Sequence, residues 1–120
     1  MHSLFRNKIL FLKSTQINFE ILSDSNNSPE RILWGNNEGV EVEEAKAITI
    51  GIWDAKGRGS MVIDLWNKEM HTLELKGFYL EVMKKIAETV RVATDDHVMG
   101  NIIDNACFQI TSLLENEVGE

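Results

Sequence analysis

The sequence predicts an α+β fold: a four-stranded antiparallel sheet of two hairpins, followed by two C-terminal amphipathic helices packed on one face of it. Three observations carry this. Apolar residues alternate with polar ones in segments before residue 67, the period of a half-buried strand. Clusters of turn-forming residues separate those segments. Beyond residue 71 the apolar period changes to that of a helix and stays so to the end. Strands first and helices afterwards is the order of an α+β domain.

The first strand is "TQINFEIL", Thr15 to Leu22, with Ile17, Phe19 and Ile21 on one face and Gln16, Asn18 and Glu20 on the other. "SDSNNSP" follows as a turn and closes on Pro29, the only proline. "ERILW", Glu30 to Trp34, returns as the second strand. Gly35 to Glu44, "GNNEGVEVEE", reads as an acidic surface loop between the hairpins.

The second hairpin is the most patterned part of the chain. Ile48, Ile50 and Ile52 share one side of its first strand, and Met61, Ile63 and Leu65 one side of its second. Both sets reach a core together if Ile52 faces Ile63 and Ile50 faces Leu65. That register leaves Gly57-Arg58 as a two-residue type II′ turn. It also sets Trp53 opposite Val62, Gly51 opposite Asp64 and Thr49 opposite Trp66 on the far face. Two indoles and a valine are not what a strand normally offers to water.

In the first helix Leu75, Phe78, Val82, Ile86 and Ala93 recur at helical spacing, with Thr72 as the expected N-cap and Glu81–Lys85 as an i,i+4 pair. "TDDH" breaks the pattern, and Asp95 or Asp96 can cap the next helix. Its stripe is Met99, Ile102, Ile103, Ala106, Ile110, Leu113 and Leu114, with Cys107 beside it.

A chain of 120 residues is long enough for a single core, so residues 15–120 read as one domain. Residues 1–14 read as an N-terminal extension able to supply an extra strand. They contribute +3 to a net charge of −7 through Arg6, Lys8 and Lys13, which leaves −10 on the remaining 106 residues. So acidic a body argues against nucleic acid and anionic lipid as partners. No apolar run approaches the ~20 residues of a spanning helix, so membrane insertion is not expected. With neither an export signal nor a second cysteine, a cytoplasmic location is expected.

Catalytic and metal-binding patterns are missing from the sequence. His2, His71 and His97 show no ligand spacing, and Cys107 is the only cysteine, so no metal or cofactor is expected. Glu38, Glu41, Glu43 and Glu44 lack the alternation of a calcium loop. "GRGS" has no helix behind it and forms no phosphate loop. Asp64 is the one carboxylate within a strand core, without a second carboxylate or nucleophile at a definable distance. An enzyme is therefore not expected.

"KAITIGIWD", "VIDLWNKEM" and "RVAT", with Pro29, Ile32 and Trp34 in a P-x-x-I-x-W arrangement, resemble the gliding motility protein GldC family. The likeness runs from about Thr15 to Leu114. Asn67 and Glu69 stand where the family has Thr and Asp, and Thr72-Leu73-Glu74 replaces its Val-Asp-Glu helix start. The resemblance implies a small cytoplasmic protein with a role in gliding motility and brings no catalytic residues with it. At the level of strand order the fold is also similar to the SecB export chaperone.

With both helices on the Ile17/Phe19/Ile21 side of the sheet, nothing remains to cover the other side. The expected function is therefore a non-enzymatic interaction through Trp53, Val62, Asp64 and Trp66, with Leu33 adjoining, in a homodimer or other homo-oligomer or with an unidentified protein partner. The alternatives are a SecB-like client-binding chaperone, and a small-molecule-binding protein or hydrolase using Asp64 or His97.

Overall fold

Among the described residues three strands make one antiparallel sheet and two make another, where a single four-stranded sheet was expected. The computed structural model describes residues 12–36 and 42–119. The chain divides into two compact units, one ending at Lys68 and the other beginning at Glu69.

In the first unit, β1 (Ile17–Ser23), β2 (Pro29–Asn36) and β3 (Glu43–Ala45) form the sheet β1-β2-β3. β4 (Ala47–Trp53) and β5 (Ser60–Trp66) form the second sheet. β3 lies at the end of the segment expected as loop, where Glu44 pairs with Leu33 of β2. The Arg31 guanidinium holds it there by donating to both carboxylate oxygens of Glu44 at 3.1 and 3.3 Å. Residues 37–41, with Glu38 and Glu41, lie outside the described residues, as do residues 1–11 and the strand expected of them.

The alternation read in "TQINFEIL" puts Ile17, Phe19 and Ile21 on one face as expected, but the core expected there covers only its Ile21 end, with Ile17 and Phe19 exposed. Ile17, Phe19 and Ile21 oppose Asn36, Trp34 and Ile32, and directly opposed residues share a face. Ile32 is fully buried. Its neighbours across the ladder, Ile21 and Ala45, are half-buried, so the packed part of this face lies toward the β1–β2 turn.

β4 and β5 pair in a register two residues away from the expected one. Ile50 opposes Ile63, Ile48 opposes Leu65 and Ile52 opposes Met61. A shift of two keeps every side chain on its expected face, because the strand period is two. Loop chemistry causes the shift. Asp54 to Gly59 form a six-residue connection in place of the two-residue Gly57-Arg58 turn. The Asp54 carboxylate accepts from the Lys56 and Arg58 N–H groups at 3.0 and 3.2 Å. Gly57 and Gly59 adopt φ of 75° and 105°, which glycine reaches without steric cost. Seven successive residues of β4 carry neither charge nor proline. On the side away from β5, β4 pairs with no strand among the described residues.

The second unit is a pair of helices, α1 (Thr72–Thr94) and α2 (His97–Gly119). Thr72 is the first helical residue and not the cap. His71 holds the extended cap position without a side-chain bond, and its carbonyl accepts from Leu75 at 2.9 Å. α1 ends on Asp95, in the left-handed conformation at φ 57°. Asp96 then caps α2, its carboxylate accepting from the Met99 N–H at 2.9 Å. So short a link turns the helices antiparallel. Lys76 meets Glu117 at 3.2 Å, and Arg91 reaches Asp104 and Asn101.

Leu80 and Ala87 of α1 are buried, as is Cys107 of α2. The covered line on α2 runs Gly100, Ile103, Cys107, Ile110, Leu114 at alternating spacings of three and four. It lies to one side of the expected stripe, and leaves Ile102, Leu113 and Met99 exposed. The expected Glu81–Lys85 pair is also replaced: Glu81 pairs with Lys84 at 3.4 Å, and Lys85 with Glu88 at 3.2 Å.

Candidate functional site

Trp53 and Trp66 sit at opposite ends of one face of the β4–β5 hairpin. Alternation places Ala47, Thr49, Gly51 and Trp53 on this outer face of β4, and Ser60, Val62, Asp64 and Trp66 on that of β5. The observed register pairs Trp53 with Ser60, Gly51 with Val62, Thr49 with Asp64 and Ala47 with Trp66. Each tryptophan thus stands beside a small residue. The expected pairs Trp53–Val62, Gly51–Asp64 and Thr49–Trp66 are not formed.

Four of the five residues expected at the site do share the face. Trp53 is 83% exposed, Val62 62% and Trp66 47%. Asp64 is exposed among them. Leu33 belongs to the other sheet, half-buried between Glu20 and Glu44 of its neighbouring strands. Its expected place beside the indoles requires β2 and the β4–β5 hairpin to share one sheet, and they do not.

The Trp66 end of the face borders a cavity of about 310 Å³, lined by Ser28, Pro29, Asp64, Leu65, Trp66 and Lys68. Through Lys68 it adjoins an ion cluster. The Lys68 ammonium pairs with the Asp24 carboxylate and, at 3.0 Å, with Glu30. That ammonium, followed by the Ser28 N–H, holds the Asp24 carboxyl down at about 2. Asp24 in turn pushes the Lys68 ammonium above its ordinary value, with Glu30 second. Sequence reading missed this cluster. Its signal was Asp24 at the head of "DSNNS", since an aspartate there binds the backbone two and four residues on.

The Trp53 end has the opposite sign. Arg58 donates to both oxygens of Asp54 at 3.0 Å and pulls that carboxyl below its ordinary value. Lys56 beside them leaves the loop net cationic.

Among the described residues no group of three or more His, Cys, Asp or Glu could hold a metal ion. His97 pairs with the neighbouring Asp95 at 3.1 Å. No helix among the described residues is long and apolar enough to cross a membrane.

Residues 29–116 match the family model described as gliding motility-associated protein GldC-like. That span holds the P-x-x-I-x-W stretch, both β4–β5 tryptophans and nearly all of the helical pair. No curated protein and no solved structure matches the chain.

Proposed function

The chain belongs to the GldC-like family, and on that premise we propose that it is a gliding-motility-related, non-enzymatic interaction protein that self-associates through the outer face of β4–β5. One observation supports this reading above others: Trp53, Val62 and Trp66 share a single face, and each is an exposed large hydrophobic side chain. Contiguous apolar surface of this kind marks interaction sites, and tryptophan is prominent among residues that dominate binding energy.

The two indoles expose roughly 300 Å² per copy, since a tryptophan buries ~150–250 Å² when covered. At ~25 cal/mol per Å² their burial contributes several kcal/mol, against which stands the lost freedom of two bodies. The Asp54 loop supplies what such a site needs, a rigid hairpin on which the aromatic groups are held in place.

Light scattering of the purified protein tests the reading. The full chain is expected at the mass of a homo-oligomer, and the Trp53→Ser, Trp66→Ser double variant at the monomer mass with an unchanged circular dichroism spectrum. A monomeric wild type, or an oligomer indifferent to both substitutions, overturns it.

A further inference from the structure

The geometry points to a head-to-tail pairing of two copies, in which the Trp53 end of each outer face lies over the Trp66 end of the other. This arrangement rests on the self-association proposed above and adds its orientation.

Two identical faces can meet about a two-fold axis lying between them, directed either along the strands or across them. An axis across the strands reverses the direction of one copy and sets β4 over β4. Its position follows from the ladder: Ala47 to Trp53 is centred on the Ile50–Ile63 pair. Trp53 of one copy then lies over Ala47 of the other, Trp66 over Ser60, and Thr49 over Gly51.

Gly51 fits this contact, and packing among the described residues does not account for it. A Cβ built there meets nothing within 4 Å among the described residues. Glycine inside a strand weakens it and often marks the close approach of another backbone. The missing side chain lowers the centre of the face between two indoles, where the second copy comes nearest.

Sterics alone leave the direction open, because an axis along the strands would also set each indole over a small residue. Charge selects between the two. At the Trp53 end Lys56 and Arg58 outnumber Asp54. At the Trp66 end Asp24 and Glu30 outnumber the Lys68 they hold, and Asp64 lines the same cavity. An axis along the strands brings like ends together. The axis across them carries the loop of each copy past the last pair of the other ladder, onto its cavity and the Asp24–Glu30 cluster that adjoins it through Lys68. There the Trp66 indole offers an aromatic wall to the Lys56 ammonium. Two such contacts form per dimer.

The area is in keeping. Roughly 300 Å² of indole per copy is over a third of the ~800 Å² that each partner buries in a standard interface. Val62, Thr49, Ser60 and the seated loop add to it.

Charge reversal in the full chain, read by sedimentation equilibrium at low salt, is the test. Lys56→Glu and Glu30→Lys are each expected to weaken the dimer by roughly ten-fold, because each sets like charges together at both ends. The double variant Lys56→Glu, Glu30→Lys exchanges the two signs and is expected to return to within about three-fold of wild type. If Glu30→Lys strengthens the dimer, the like ends meet and the orientation is wrong, although loss of the dimer in the tryptophan variants would still support the face. If the double variant is as weak as the sum of the singles, the pairing of loop with cavity fails. A wild type without a dimer ends both readings.

Discussion

Asp24 and Asp54 hold their two hairpins by the same set of bonds. Each carboxylate accepts from the backbone N–H two and four residues on, Asn26 and Ser28 in one loop, Lys56 and Arg58 in the other. Each aspartate carbonyl accepts from the residue three on, Asn27 or Gly57, and that residue is left-handed in both. Each carboxylate also holds a cation, Lys68 for Asp24 and Arg58 for Asp54. Asp54→Ala should therefore lower the melting temperature by several degrees, with Asp54→Asn intermediate because its amide oxygen still accepts from the backbone. Differential scanning calorimetry of the three proteins checks the order.

The Asp24 carboxyl, depressed from 3.8 to about 2, makes acid stability depend on this residue. A carboxylate with a lowered folded pKa stabilises fully above its unfolded value and loses that contribution as pH falls through the folded one. The melting temperature should decline between about pH 4 and pH 2. Asp24→Asn should start lower at pH 6 and decline less steeply over that window. Equal slopes would remove Lys68 and Ser28 as the cause.

Two helical glycines should respond to alanine in opposite ways. At Gly77 a Cβ meets nothing within 4 Å, so Gly77→Ala should stabilise by about 0.5–1 kcal/mol through lower unfolded-state entropy and better helix propensity. At Gly100 a Cβ would come within 2.7 Å of Arg91 Cγ and Nε. Gly100→Ala must displace the side chain that pairs with Asp104 and Asn101, and should destabilise. Urea unfolding of both variants measures the sign.

Ile32 is the only fully buried large side chain among the described residues. Ile32→Ala should cost ~2–5 kcal/mol, the range for a truncated core position. Chemical denaturation checks this, and a loss under 1 kcal/mol would mean that the site collapses around the gap.

Cys107 is buried at the α1–α2 contact. A thiol reagent should label it slowly in the native protein and at once in denaturant, because access requires the helices to part. Labelling at the rate of a free thiol without denaturant would contradict the packing.

Much of this was legible in the sequence, and the exceptions share a cause. The alternation of Ile48-Ile50-Ile52 and Met61-Ile63-Leu65 assigned every β4 and β5 side chain to its face, including Trp53, Val62, Asp64 and Trp66. It could not distinguish pairings two residues apart, since both put the same sets on one face. The choice lay in Asp54, whose carboxylate organises six residues into the loop. Similarly, Leu33 sits on a face of β2 that alternation identified, but which strand lies beside β2 depends on Arg31 reaching Glu44 thirteen positions away. Long-range ion pairs of this kind leave no periodic trace. The helix cap was misplaced by one residue because Thr72 has the right chemistry while His71 has the extended backbone.

The seven residues of β4, uncharged and without proline, bear on how the protein survives its own synthesis. A strand that pairs along one edge only among the described residues, with no lysine, proline or bulge on it, is a template for cross-β stacking whenever copies meet before they are complete. A gatekeeper such as Thr49→Lys should raise the yield of recoverable material at high expression temperature, a benefit unrelated to how firmly the finished fold holds.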